Sequence, residues 1–132
     1  MSGTEIARHP VHLGLGATAE VEPAFTGTPE WYAEYGERHA DDGNEGRLVS
    51  MFSFTEPWDS WEVHPNGSEV VICTAGEMTL HQEKADGTRV SVILRPGQFV
   101  INEPGTWHTA DVETAATAVF ITAGVGTRHR PR

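Results

Sequence analysis

From Arg47 onward the chain is a series of short segments rich in Val, Ile, Thr and Phe, each stopped by turn chemistry. RLVSMFSF (47–54) and the segment around Trp61–His64 come first. EVVICTA (69–75), EMTLHQE (77–83), RVSVIL (89–94), QFVIN (98–102), TWHTADV (106–112) and TAVFITA (117–123) follow. Between them stand Pro65-Asn66-Gly67, Ala75-Gly76, Ala85-Asp86-Gly87, Arg95-Pro96-Gly97 and Glu103-Pro104-Gly105. β-Branched and aromatic residues fit a pleated surface, and Gly, Pro, Asn and Asp supply the conformations that reverse a chain. Many short strands with frequent turns pack as an all-β sandwich or barrel rather than as alternating strands and helices. Lys84 to Thr88 reads as a hairpin loop, with Asp86-Gly87 taking its left-handed positions.

The first third differs. VHLGL (11–15) and AEVEPAF (19–25) are each compatible with a short strand. Thr28-Pro29-Glu30-Trp31 has the form of a helix start, with Thr as cap, Pro at the first helical position and an acid in the first turn. The predicted helix covers about 29–40 and stops at Asp41-Asp42-Gly43-Asn44; Trp31, Tyr35 and Tyr32 form an apolar stripe that packs on the barrel or lines its mouth. The chain thus divides into an N-terminal arm over 1–46, a barrel over 47–126 and a basic tail over 127–132, expected to fray.

The segment WEVHPNGSE (61–69), together with PGTWH (104–108), carries the chemistry. Glu62 and His64 are two apart on an extended segment and therefore share a face. Pro65 to Ser68 reads as a turn that reverses the chain and brings Glu69 back beside His64. With His108 this gives two imidazoles and one or two carboxylates, a donor set for a divalent metal. A carboxylate inside a barrel is costly to bury alone, and a bound cation offsets that cost. Glu62 is a fourth ligand, a general base beside the metal, or a surface residue.

These residues also carry a resemblance. From Glu62 the order is acid, one residue, His64, four residues, Glu69, six residues, Gly76; later, Gly97 is followed by Pro104, Gly105 and His108. The two segments resemble the two metal-binding motifs of the cupin superfamily, with Glu62 standing where the first histidine is usual and Val112 where an asparagine often closes the second motif. The resemblance runs from about Leu48 to Thr122 and implies a double-stranded β-helix, the cupin or jelly-roll barrel, with His64, Glu69 and His108 as ligands.

A net charge of −10 over 132 residues argues against nucleic acid and against an anionic membrane surface. There is no stretch of about 18 apolar residues and no apolar signal core near the N-terminus, so a cytoplasmic location is expected. The single cysteine, Cys73, excludes an intrachain disulfide; its phase with Glu69 and Val71 turns it inward, as a small buried hydrophobe or a pocket residue. Trp58, in phase with Glu62, is expected in a pocket wall, whereas Trp61 and Trp107 are out of phase with the ligands and pack behind them. His81 is expected near a hairpin end, exposed or reaching the pocket as a proton shuttle, and His9, His12 and His39 on loops. No nucleophilic-serine elbow or phosphate-binding glycine loop is present.

The expectation is a mononuclear metal-dependent enzyme acting on a small oxygen-rich organic substrate by oxygenase or by isomerase/lyase chemistry. Two His with one or two carboxylates and no thiolate favour Fe(II) or Mn(II) and admit Ni(II), Co(II) and Zn(II). The alternative is a non-catalytic cupin that binds or senses a small molecule. Metal binding is expected to weaken below about pH 6, where unperturbed imidazoles protonate. A homodimer paired through a sheet edge is the expected assembly.

Overall fold

In the computed structural model, which describes residues 1–132, each segment expected to be extended from Arg47 onward is a strand. In chain order the elements are β1 (Val11–Gly14), β2 (Thr18–Val21), α1 (Pro29–Arg38), β3 (Arg47–Phe54), β4 (Ser60–Val63) and β5 (Glu69–Gly76). Then come β6 (Met78–Glu83), β7 (Arg89–Leu94), β8 (Phe99–Asn102), β9 (Trp107–Asp111), β10 (Ala116–Thr122) and β11 (Arg128–Pro131). They form two antiparallel sheets, one ordered β2-β1-β3-β10-β5-β8 and the other β11-β4-β9-β6-β7. This is the all-β jelly-roll barrel expected from the sequence.

Strand alternation builds the interior in layers. On β5, Glu69, Val71 and Cys73 are buried while Val70 and Ile72 are less so; on β6 the buried set is Met78, Leu80 and Gln82. Ala116, Ala118 and Phe120 on β10 and Ala110 on β9 complete one continuous core with Val71, Cys73, Met78, Leu80 and Leu94. Fully burying a side chain the size of Leu80 or Met78 contributes roughly 1.5–3 kcal/mol. Each inward row then ends in a polar residue at the same end of the barrel. Register sets Thr122, Glu69 and Asn102 side by side on one sheet, and Glu62, His108 and Gln82 side by side on the other. Gln82 closes the gap between the sheets, its amide donating to Asn102 Oδ1 at 2.8 Å.

Three expectations need correction. Pro65 to Ser68 is not a hairpin turn, because β4 and β5 lie in different sheets and the segment crosses between them. It hugs the opposite wall so closely that a Cβ at Gly67 would collide with that of Ala123. The basic tail does not fray: Arg128 to Pro131 pairs with β4 as an outer strand, clamped by the guanidinium of Arg130 over the rings of Trp61 (5.1 Å) and Trp107 (4.6 Å). His12 and His39 are not loop decoration either. His12 is buried on β1, hydrogen-bonded to Tyr35 (2.6 Å) and Asp42 (2.6 Å), and its ring stacks on that of His39 at 3.6 Å.

The same contacts fasten the arm. β1 extends the first sheet beside β3, and α1 ends two residues short of the expected stop, before a single 3-10 turn at Ala40–Asp42. The Thr28 hydroxyl accepts from Trp31 N, and the buried Trp31 indole donates to the carbonyls of Pro23 and Ala24. No helix is long and apolar enough to cross a membrane.

Gly76 ends β5 at φ +70°, and a Cβ there would run into the carbonyl of Ala115. Gly76→Ala is therefore expected to cost about 2–4 kcal/mol, combining left-handed strain with a backbone collision. Urea unfolding checks this, and an unchanged midpoint would contradict it.

Candidate metal centre

The polar end of the barrel brings Glu62, His64, Glu69 and His108 together, with one ligand atom from each lying within 4.8 Å of the others. β4 supplies Glu62, the crossover supplies His64, β5 opens with Glu69, and β9 carries His108. Glu69 Oε2 lies 3.1 Å from His64 Nε2 and its Oε1 3.1 Å from His108 Nε2. Glu62 Oε1 lies 2.9 Å from His64 Nε2 and 3.6 Å from His108 Nε2. His64, Glu69 and His108 are buried, whereas the side chain of Glu62 remains 27% exposed and so marks the open side.

The outer atoms of both rings fix which nitrogen faces the centre. His108 Nδ1 lies 3.2 Å from the Thr106 carbonyl, which can only accept. The Thr127 hydroxyl donates to the Gly124 carbonyl at 2.8 Å, so it accepts from His64 Nδ1 at 2.7 Å. Each Nδ1 therefore carries a proton, and each Nε2 turns inward. Although close to the carboxylates, the two Nε2 atoms are buried without an aligned hydrogen-bond partner. Glu69 is held in turn by Thr122 Oγ1 (2.6 Å on Oε2) and Asn102 Nδ2 (3.1 Å on Oε1). Two inward, unpartnered imidazole nitrogens beside two carboxylates fit a divalent cation in chemistry and in placement.

Without a cation the cluster holds its own charge. Burial alone would lower His64 and His108, but the facing carboxylates of Glu62 and Glu69 outweigh it and raise them to about 9 and about 10. Burial would raise Glu69, yet the imidazoles hold it down at about 2, and Glu62 is lowered well below the ordinary carboxylate range by the same balance.

The remaining candidates separate. Trp58 borders the centre: its ring stands 6.3 Å from that of His108 and packs on Phe54 and Phe120, and its buried Nε1 has no acceptor. Cys73 faces inward but belongs to the apolar core, donating to the carbonyls of Ala75 and Gly76. Four residues along β5 from Glu69 place it about 13 Å below the polar layer, so it is no pocket residue. His81 is not in the pocket either. It alternates with the inward Leu80 and Gln82, and so pairs with Asp111 (2.7 Å) and Ser91 (2.7 Å) on the outer face. Tyr32 from α1 lies near the open side, where burial and the charge of Glu62 push its phenol up to about 12. Sequence reasoning missed Asn102, Gln82 and Thr122, as well as His129, whose Nε2 lies 2.8 Å from Glu62 Oε2.

A family model described as a cupin domain matches residues 55–124, more than half of the chain. No curated protein matches. Among solved structures, the chain is similar to a conserved protein with a double-stranded β-helix domain from Klebsiella pneumoniae, at 21% identity and a TM-score of 0.54, covering 65% of this chain and 76% of that one. It is also similar to hydroquinone 1,2-dioxygenase from Sphingomonas sp. TTNP3 with 4-hydroxybenzoate bound, at 16% identity and a TM-score of 0.50, covering 58% and 59%. Similarity to an oxalate oxidase is 17% identity with a TM-score of 0.53, covering 61% of this chain and 44% of that one. The chain thus spans about half the length of these two enzymes, and the likeness is one of fold.

Proposed function

Because the chain belongs to the cupin domain family, we propose that it is an enzyme that holds one divalent transition metal, Fe(II) or Mn(II) in the first place, and acts on a small oxygen-rich organic molecule. One observation carries this reading: two buried Nε2 atoms lack aligned partners while Glu62 beside them stays 27% exposed, so a molecule from solvent has access to the same centre. A bound cation supplies Lewis acidity at a substrate oxygen or, as iron, a centre for dioxygen chemistry.

The chain's own residues do the rest. His64, Glu69 and His108 hold the ion, with Glu62 as fourth ligand or, if unligated, as the base that takes a substrate proton. The imidazoles hold its carboxyl well below the ordinary range, so it is ionised at neutral pH and suits the ligand role better than the base role. Phe52, Phe54 and Phe120 pack with Trp58 as an apolar wall that excludes water on the core side. The Trp58 N–H is a buried donor awaiting an acceptor, which a substrate oxygen would supply. The similar enzymes named for hydroquinone and oxalate agree with a small oxygenated substrate.

The test is to load the protein with Fe(II) or Mn(II) and screen hydroxy-aromatics and short organic acids for turnover. Metal-dependent turnover that disappears in His108→Ala supports the proposal. Saturable binding without turnover under any metal would replace it with the non-catalytic sensing role. Trp58→Phe is expected to leave metal affinity unchanged and to weaken the bound small molecule roughly tenfold, the loss of one hydrogen bond to a charged or polarised oxygen. Equal affinity in parent and variant would show that the indole makes no such bond.

A further inference from the structure

Glu62 is touched from outside by a residue that lies beyond the matched family segment. His129 Nε2 contacts Glu62 Oε2 at 2.8 Å, while Glu62 Oε1 lies 2.9 Å from His64 Nε2. Register explains the meeting: on β4, Glu62 stands opposite His129 of β11 on one side and opposite His108 of β9 on the other. The contact is not what holds β11 in place. Arg130 is seated over Trp61 and Trp107 and reaches Glu83 at 2.8 Å, while Arg132 pairs with Asp111 (2.8 Å) and donates to the carbonyls of Trp58 and Ala110 (3.1 Å each). These anchors present His129 to Glu62 independently of the metal centre.

We propose that His129 is a positioning residue of the metal centre: by occupying one carboxylate oxygen of Glu62, it turns the other toward His64 and His108 and so sets how many ligands a cation receives. The inference rests on the reading that Glu62, His64, Glu69 and His108 hold a cation. Glu62 is the one member of that set with neither full burial nor an inner hydrogen-bond cradle, whereas Glu69 has Thr122 and Asn102. A partly exposed glutamate left without His129 regains rotamer freedom, and the centre falls back to His64, Glu69 and His108. The C-terminal strand thereby acts as a clasp that makes a three-ligand site into a four-ligand one.

Co(II) is the probe, because its visible bands report coordination geometry without any substrate. Parent protein, His129→Phe and His129→Gln are titrated with Co(II) by calorimetry and absorption, with circular dichroism and thermal melting as folding controls. His129→Phe is expected to weaken Co(II) binding by about tenfold, the usual cost of losing a ligand's hydrogen-bond partner, and to change the band pattern. His129→Gln, which keeps an N–H donor, restores both. A fall in melting temperature with affinity and bands unchanged would show that His129 is merely structural and overturn the proposal. Failure of the parent to bind Co(II) at all would instead overturn the metal centre beneath it.

Discussion

Glu69→Gln is expected to weaken divalent-metal binding by more than about 100-fold, since losing even a ligand's hydrogen-bond partner costs 10–100-fold. The change keeps the volume of a side chain that is 2% exposed, so the loss reads charge and donor set rather than packing. Glu69 faces both imidazoles, and its two oxygens are already fixed by Thr122 and Asn102. An amide offers one oxygen where the carboxylate offers two, and its NH₂ either meets Asn102 Nδ2 donor to donor or forces the Thr122 hydroxyl to turn from donor to acceptor. Without metal, the variant leaves His64 and His108 with only the half-open Glu62 as counter-charge. Removing one partner of a buried pair costs about 3–5 kcal/mol, to be read from urea unfolding of the metal-free protein. Calorimetric titration with Mn(II) gives the affinity arm, and parent-like binding by the variant would take Glu69 out of the ligand set.

Metal uptake at pH 7 is expected to release about two protons, because both imidazoles must give one up to coordinate. With His64 and His108 raised to about 9 and about 10, both carry two protons in the metal-free protein at neutral pH. The apparent affinity should therefore climb by up to about 100-fold per pH unit below about pH 9, more slowly up to about pH 10, and level off above that. The window expected from the sequence, a loss only below about pH 6, is corrected accordingly: it assumed unperturbed imidazoles and left out the two carboxylates that face them. Metal-free stability carries the opposite sign. The imidazoles' contribution is complete below the unfolded value of 6.5 and is lost as pH rises through about 9 and about 10. That of Glu69 is present above 4.5 and lost as pH falls toward about 2. Melting of the metal-free protein should thus fall progressively from about pH 6.5 and level off above about pH 10, while the metal-loaded form holds. Calorimetry in buffers of different ionisation enthalpy counts the protons, and a count near zero at pH 7 would contradict the charged cluster.

The strands and the four converging residues were legible because both follow from local rules. Turn chemistry at Asp86-Gly87 and Pro96-Gly97 punctuates the chain, and alternation puts Glu62 and His64 on one side. Alternation also held information that the sequence reading did not extract. Gln82 follows Leu80 by two and Asn102 follows Val100 by two, so each is a polar residue in an inward phase at a strand end. The same phase turns His81 outward. What no local rule contains is which sheet a strand joins. Pro65 to Ser68 has the composition of a hairpin turn, yet the partners of β4 are β9 and β11, separated from it by more than forty residues. For that reason His129 was invisible beside Glu62, and the tail with its three arginines resembled a solvated end. Its anchoring depends on Trp61 and Trp107 standing together on the outer face, which only the assembled sheet provides.

Anomalous diffraction from a crystal grown with Mn(II) tests the central claim most directly. The account expects one strong peak within coordination distance of the Nε2 atoms of both His64 and His108 and of a Glu69 oxygen. No peak there, or a peak only beside His12, His39 and Asp42, would contradict it.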